Sequence, residues 1–157
     1  MCTSEKPPVF AVTTKALPYR HMSRIKRGKS YLSPAFARLR LSGPDLQTKA
    51  LIVHLILAKE TEKALEQLSL ANRIDVPMLR VGAVKGRKKA LAVYVEKEKT
   101  IYVAKGDNLW DPFIIIHEFY HHLRCRSGKH RGTEKLADAY AVDYINAYRV
   151  LASLQSP

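Results

Sequence analysis

Acidic side chains are missing from one long stretch of this 157-residue chain: between Lys6 and Pro44 there is no Asp or Glu, against nine Lys or Arg. The stretch therefore carries nine of the thirteen positive charges that the whole chain has in excess. A segment of one sign repels itself and finds no internal counter-charge, which leaves a solvated arm or one that faces phosphate. Cysteine is scarce too. Cys2 and Cys125 are the only two, too few for a disulfide framework, so the chain must bury a core instead of relying on staples. Long apolar runs are also absent: the longest uncharged run, Ala50 to Ala58 around LIVHLIL, falls well short of the roughly 20 residues of a membrane span. The first twenty residues, MCTSEKPPVFAVTTKALPYR, have no continuous apolar stretch behind a basic start and do not read as a secretory signal. The expectation is a cytoplasmic protein with no membrane partner.

What is present divides the chain in two. Five of the eight prolines, Pro7, Pro8, Pro18, Pro34 and Pro44, fall within residues 1–44 and break any long element there. Residues 1–44 are thus expected to form a basic, Pro-interrupted arm, and residues 45–157 a single domain. In the arm, Arg20, Arg24, Lys26, Arg27 and Lys29 crowd together between Tyr19 and Tyr31, and basic residues interleaved with aromatics suit the phosphates and bases of nucleic acid. A second basic cluster, Arg87, Lys88 and Lys89 in KGRKK, sits on a turn, where it either touches an acidic partner or keeps a strand edge soluble. A purely solvated charged face accounts for the arm equally well.

The domain reads as α+β. Asp45 is an N-cap for one long helix over LQTKALIVHLILAKETEKALEQLSLANR, with Leu51, His54, Leu55, Ala58, Leu65 and Leu68 on its apolar face. On that face His54 reads as a core histidine, not a metal ligand. Val76 and Pro77 open a loop, after which ALAVYVEKEKTIYVAKG alternates as a β-hairpin with EKEK at its tip. Asp111 as N-cap and Pro112 at the first helical position start a helix through PFIIIHEFYHHLRC, ended by Ser127 and Gly128. Thr133 caps a last helix whose Leu136, Ala137, Tyr140, Ala141, Tyr144, Ile145 and Tyr148 form an apolar face.

The chemistry concentrates in IIIHEFYHHL, where His117, Glu118 and His121 stand in the order H-E-x-x-H. On a helix the two histidines lie one turn apart on one face and can share a metal ion, while Glu118 projects to the side, where it can take a proton from an activated water. A shuffled chain of this composition yields this pattern about 0.01 times, so chance is a poor explanation without being excluded. Catalytic zinc takes three protein ligands and a water. Glu134, thirteen residues after His121, is a candidate third ligand. Asp138, one turn on, is placed to accept the free N–H of a ligand histidine. A first-turn acid favoured by the helix dipole explains Glu134 without a metal but explains Asp138 poorly. Cys125, i+4 from His121, reads as a small buried residue.

HEFYHHL followed by EKLADAYAVDYI resembles the HExxH and E-x-x-A-[ND]-x-[FY]-A pair of the ImmA/IrrE-type zinc metallopeptidases, and the resemblance covers residues 46 to 148. It implies a minimal zincin domain of the gluzincin kind: a long N-terminal helix, a small sheet or hairpin, the HExxH helix and a C-terminal helix bearing the third ligand. It also implies that His117, His121 and Glu134 bind Zn2+, that Glu118 is the general base, and that Asp138 takes the Asn or Asp position of the second motif. KTIYVAKG resembles that family's strand beside the substrate cleft, while EFYHH departs from the family's more usual motif. A weaker resemblance, to the SprT-like proteases that cut DNA-bound proteins, would instead make His130 the third ligand.

The expected function is a zinc-dependent endopeptidase acting on a protein substrate. The family resemblance implies a DNA-bound regulator as substrate, and in so short a chain, with no second catalytic lobe, the substrate is expected to dock in a shallow cleft as an extended strand beside Thr100 to Ala104. Tyr120, His122 and Tyr140 are the candidates for stabilising the oxyanion. The alternative is a basic nucleic-acid-binding protein in which zinc is structural or absent. The arm supplies one test. Deleting residues 6–44 removes nine positive charges and is expected to weaken binding to duplex DNA and to flatten its salt dependence, each lost phosphate contact lowering the slope by about 0.9. Unchanged affinity in a salt titration would refute a nucleic-acid role for the arm.

Overall fold

The computed structural model describes residues 44–83, 90–125 and 134–154. The described chain is α+β and mostly helical, with four helices and a three-stranded sheet. Helix α1 spans Leu46–Leu57, opened by Asp45, whose carboxylate accepts the Thr48 N–H at 2.7 Å. Helix α2 spans Thr61–Asn72. Three strands follow: β1 over Met78–Val81, β2 over Ala92–Val95 and β3 over Thr100–Val103. Helix α3 covers Pro112–Cys125 and helix α4 covers Glu134–Leu154. The start of α3 is as expected, with Asp111 Oδ1 accepting the Phe113 and Ile114 N–H groups at 2.9 and 3.4 Å.

The one long helix expected from residue 46 to residue 73 is two helices. The chain turns at Ala58, Lys59 and Glu60, where Lys59 N–H bonds the Ile56 carbonyl and Glu60 N–H reaches back to Leu55. With Lys59 at φ 67°, this is the paired closure that ends helices at a left-handed residue. Arg73, at φ 54°, closes α2 in the same way, with bonds from Arg73 to Leu70 and from Ile74 to Ser69. Glycine is the usual residue at both positions, so neither stop carries its usual sequence mark. The apolar face of α1 also differs from the expected one. Ala50, Ile52, Val53 and Ile56 are buried, whereas Leu51, His54 and Leu55 are half-buried and Ala58 is exposed.

The sheet has the order β1-β3-β2. The hairpin of β2 and β3 is antiparallel as expected, with Glu96–Glu98 forming a single 3-10 turn and Lys99 in the left-handed region at its tip. Strand β1 lies in what was expected to be loop, and it pairs parallel to β3 from Met78↔Thr100 to Val81↔Val103. Strand β3 is therefore central, bonded on both sides, and the exposed edges belong to β1 and β2. Leu79, Tyr94 and Ile101 stand in register on the face turned to the helices.

Beneath the sheet, α3 packs on α4 and on β2, and α1 packs along both α2 and α4. Ile52, Ile56, Leu65, Leu68, Ile101, Ile115, Ile116, Phe119 and Tyr144 are fully buried between them. The expected face of α4 is observed: Ala137, Tyr140, Ala141, Tyr144 and Ile145 are buried, and Leu136 and Tyr148 pack partly buried against the core. Polar ties cross the same layer. Lys49 on α1 pairs with Asp143 on α4 at 2.7 Å, and Asn72 at the end of α2 donates to the Tyr140 hydroxyl at 3.3 Å. Because the left-handed region costs a side chain about 1–2 kcal/mol and Arg73 is exposed, Arg73→Gly is expected to raise stability by about 0.5–1 kcal/mol after glycine's entropic cost. Arg73→Val is expected to lower it, and urea denaturation of both variants tests the pair.

Candidate metal centre

The HExxH segment lies whole within α3, so the i, i+4 rule applies without a kink. The Nε2 atoms of His117 and His121 are 3.2 Å apart. That contact alone would fit a hydrogen bond between the two rings. Glu134, the first residue of α4, turns the pair into a triangle. One of its oxygens is 3.3 Å from His117 Nε2 and the other 3.3 Å from His121 Nε2. Ligands bound at about 2.0–2.1 Å to one tetrahedral ion stand about 3.3 Å apart; the separation of the two Nε2 atoms is near that value, and each of them is 3.3 Å from a different oxygen of the Glu134 carboxylate. The described residues thus bring two imidazoles and a carboxylate into an arrangement that could hold a metal ion, with ligand atoms within 4.8 Å of one another.

His117 is held at its other nitrogen as well. Asp138, one turn along α4 from Glu134, has Oδ1 3.0 Å from His117 Nδ1. A carboxylate accepts only, so Nδ1 carries the proton and the Nε2 lone pair is presented to the Glu134 side. The two acids of α4 therefore face the two nitrogens of one ring, Asp138 accepting from Nδ1 and Glu134 standing beside the Nε2 lone pair. A first-turn acid placed by the helix dipole alone would not require this second contact.

Glu118 reaches to the side, toward the sheet. It is 9% exposed, and its Oε2 accepts the backbone N–H of Tyr94 on β2 at 2.7 Å. The register explains why this amide is available: Ala104 N–H bonds the Leu91 carbonyl, so the Tyr94–Ile101 pair is a non-hydrogen-bonded one and Tyr94 N–H points off the open edge of β2. Burial, followed by the nearby Cys125 and Glu96, pushes the Tyr94 hydroxyl up to about 12, so it keeps its proton. The Cys125 thiol is also pushed up, chiefly by burial and next by Glu96, which disfavours the thiolate that binds metals.

Two of the three oxyanion candidates have other occupations. The His122 ring nitrogens lie 2.8 Å from the Tyr94 hydroxyl and 2.8 Å from the Asp75 carbonyl. The Tyr140 hydroxyl is shared with Tyr144 at 2.7 Å and with Asn72. Tyr120 is buried with its ring 5.2 Å from that of Tyr140. Arg20, Arg24, Lys26, Arg27, Lys29, Arg87, Lys88, Lys89 and the rival ligand His130 all lie outside the described residues. The sequence does not announce the role of Tyr94, because a backbone amide carries no mark in the side-chain pattern.

No family model, no curated protein and no solved structure matches the chain. No described helix is long and apolar enough to cross a membrane. The geometry of the centre yields a graded prediction for zinc affinity, read by competition with a chromophoric chelator. Glu134→Ala is expected to abolish stoichiometric binding. Asp138→Ala, which removes only the orienting contact, is expected to weaken it about 10–100-fold. Equal retention in wild type and Glu134→Ala, with loss in His130→Ala, would move the third ligand to His130.

Proposed function

We propose that the chain is a zinc-dependent endopeptidase with the architecture of a minimal zincin of the ImmA/IrrE type. The single observation that carries this reading is the convergence of His117, His121 and Glu134, with the two Nε2 atoms 3.2 Å apart and each 3.3 Å from one oxygen of the carboxylate, beside a glutamate that follows the first candidate ligand and is pinned to a strand edge. A structural zinc site is closed by four protein ligands, whereas a catalytic one keeps a position open. Among the described residues the candidate group has three.

When bound, the zinc ion supplies a Lewis acid that polarises the scissile carbonyl and lowers the pKa of an attacking water to about 7. His117 and His121 present Nε2 lone pairs, and Asp138 keeps His117 in the tautomer that can do so. Glu118 takes the proton of the water and passes it to the leaving amine. The substrate lies extended along the open edge of β2. The expected position beside Thr100 to Ala104 is ruled out by the topology, since both edges of β3 are already paired. A protein substrate, such as a DNA-bound regulator, agrees with the excess charge, and the cytoplasm agrees with the near absence of cysteine.

The rival reading, a nucleic-acid-binding protein with structural or absent zinc, rests on the charge alone and has no use for a glutamate between two ligand histidines. Glu118→Gln separates the two. The variant is expected to keep its fold and about one zinc per chain while losing about 10²–10⁴-fold in peptide hydrolysis. Loss of zinc in this variant would make Glu118 a ligand and end the mechanism. A wild-type protein that takes up no zinc would end the reading altogether.

A further inference from the structure

Two i, i+4 pairs are interleaved in HEFYHH. His117 and His121 turn toward α4, and the second pair, Glu118 and His122, lies about 100° further round the helix. Both members of that second pair meet the same residue. Tyr94 donates its backbone N–H to Glu118 Oε2 at 2.7 Å, and its hydroxyl stands 2.8 Å from His122 Nδ1.

The proton positions on this chain follow from chemistry. The Asp75 carbonyl, 2.8 Å from His122 Nε2, can only accept, so Nε2 carries a proton. In the neutral ring Nδ1 is then an acceptor, and the Tyr94 hydroxyl donates to it. His122 is 5% exposed, its ring edge-on to Tyr94 at 5.1 Å and to Phe119 at 5.8 Å. A buried imidazole costs stability unless its polar atoms are bonded, and here each nitrogen has a partner from a different element, Asp75 before β1 and Tyr94 on β2. Strand β2 is an edge strand, bonded to β3 on one side only. One of its outward groups, the Tyr94 N–H, is held by α3.

We propose that Glu118 and His122 act as a clamp on Tyr94, in which Tyr94 and His122 are positioning residues that fix the carboxylate of Glu118 relative to the strand edge. The side-chain grip of His122 on the Tyr94 hydroxyl sets where the Tyr94 amide stands, and that amide sets where Glu118 stands. The second histidine of the HH doublet thereby belongs to the base and not to the metal. The clamp rests on the peptidase reading only for its kinetic consequence.

Nitrogen-detected NMR of the imidazoles in the full zinc-loaded chain reads the tautomers directly. The expected result is Nε2–H for His122 and Nδ1–H for His117, and the opposite tautomer at His122 overturns the clamp. The Tyr94 amide proton is expected to move upfield in Glu118→Gln, which replaces a charged acceptor by a neutral one, and an unmoved resonance overturns the clamp as well. In kinetics, Tyr94→Phe keeps the amide and removes only the hydroxyl. It is expected to keep zinc and KM and to lower kcat about 10–100-fold, as does His122→Phe, which keeps a ring in place. The double variant is expected to be no worse than His122→Phe, because both substitutions remove the Tyr94–His122 contact and only His122→Phe also removes the bond to the Asp75 carbonyl. Unchanged kcat in Tyr94→Phe, or losses that multiply in the double variant, refute the positioning role. If the wild type cleaves no peptide, the peptidase reading falls while the tautomer and the amide shift still decide the clamp.

Discussion

The imidazole of His117 depends on two carboxylates one turn apart on α4, and the rest of the centre depends on that imidazole. Glu134 faces Nε2 and Asp138 holds Nδ1. Sliding α4 by one residue along its axis would move both acids by about 1.5 Å and swing them through about 100°, which no rotamer change recovers for both at once. The register between α3 and α4 is therefore the constraint that the core must satisfy. Much of the packing serves it. Ala137, Tyr140, Ala141 and Tyr144 bury the inner face of α4 against the cluster that holds Ile115, Ile116 and Phe119 of α3, and small residues at 137 and 141 allow the two helices a close approach. Lys49 ties Asp143 to α1, and Asn72 ties Tyr140 to α2, so α4 is fixed from three helices.

Helix α3 is loaded on more than one side, which explains its composition. One face carries the candidate ligand histidines, the next carries Glu118 and His122, and Ile115, Ile116 and Phe119 fill the core. Burying an acid and an imidazole would cost several kcal/mol if they were left unpartnered. Here the strand amide, the Tyr94 hydroxyl and the Asp75 carbonyl meet them. Polar groups of this kind hold β2 to α3 with directional bonds where apolar packing alone would allow it to slide. An edge strand needs such an anchor most, because half of its backbone groups have no neighbouring strand.

The parts of the fold legible in the sequence are those written in spacing and caps. Asp111 and Pro112 mark the start of α3, HExxH marks one face of it, the alternation of ALAVYV and TIYV marks the hairpin, and the stripe of α4 marks its inner face. What was not legible lacked a local cause in the residues present. Lys59 and Arg73 occupy left-handed positions that tertiary packing imposes and that glycine would have announced. Helix α1 is apolar nearly all round, so its periodicity does not choose between Leu51 and Ile52 as the buried side. Strand β1 shows no alternation, with Met78, Arg80 and Val81 exposed and Leu79 half-buried, and its pairing to β3 is a non-local event. In the site, Glu134 and Asp138 could be named from their distance to the motif, whereas the partners of His122 could not. The i, i+4 rule that paired His117 with His121 also pairs Glu118 with His122, and that second application is the signal that was available.

The edge of β2 sets a limit on how an extended peptide can lie there. Along an antiparallel edge, the outward groups come from alternate residues, here Ala92 and Tyr94. The Tyr94 N–H is already given to Glu118, so a strand laid against this edge finds the N–H and C=O of Ala92 and the C=O of Tyr94 but must either leave the Tyr94 amide alone or displace the carboxylate. On the peptidase reading, displacing it would remove the base from its anchor, so a productive substrate would pair at Ala92 and run on past Tyr94 without bonding to its amide. Ala92 and Tyr94 are two residues apart, about 7 Å along the strand. The bond presented to Glu118 therefore falls about two residues beyond the paired one, and specificity on this reading should reside on that side of the scissile bond, where the backbone register is imposed before any side chain is chosen.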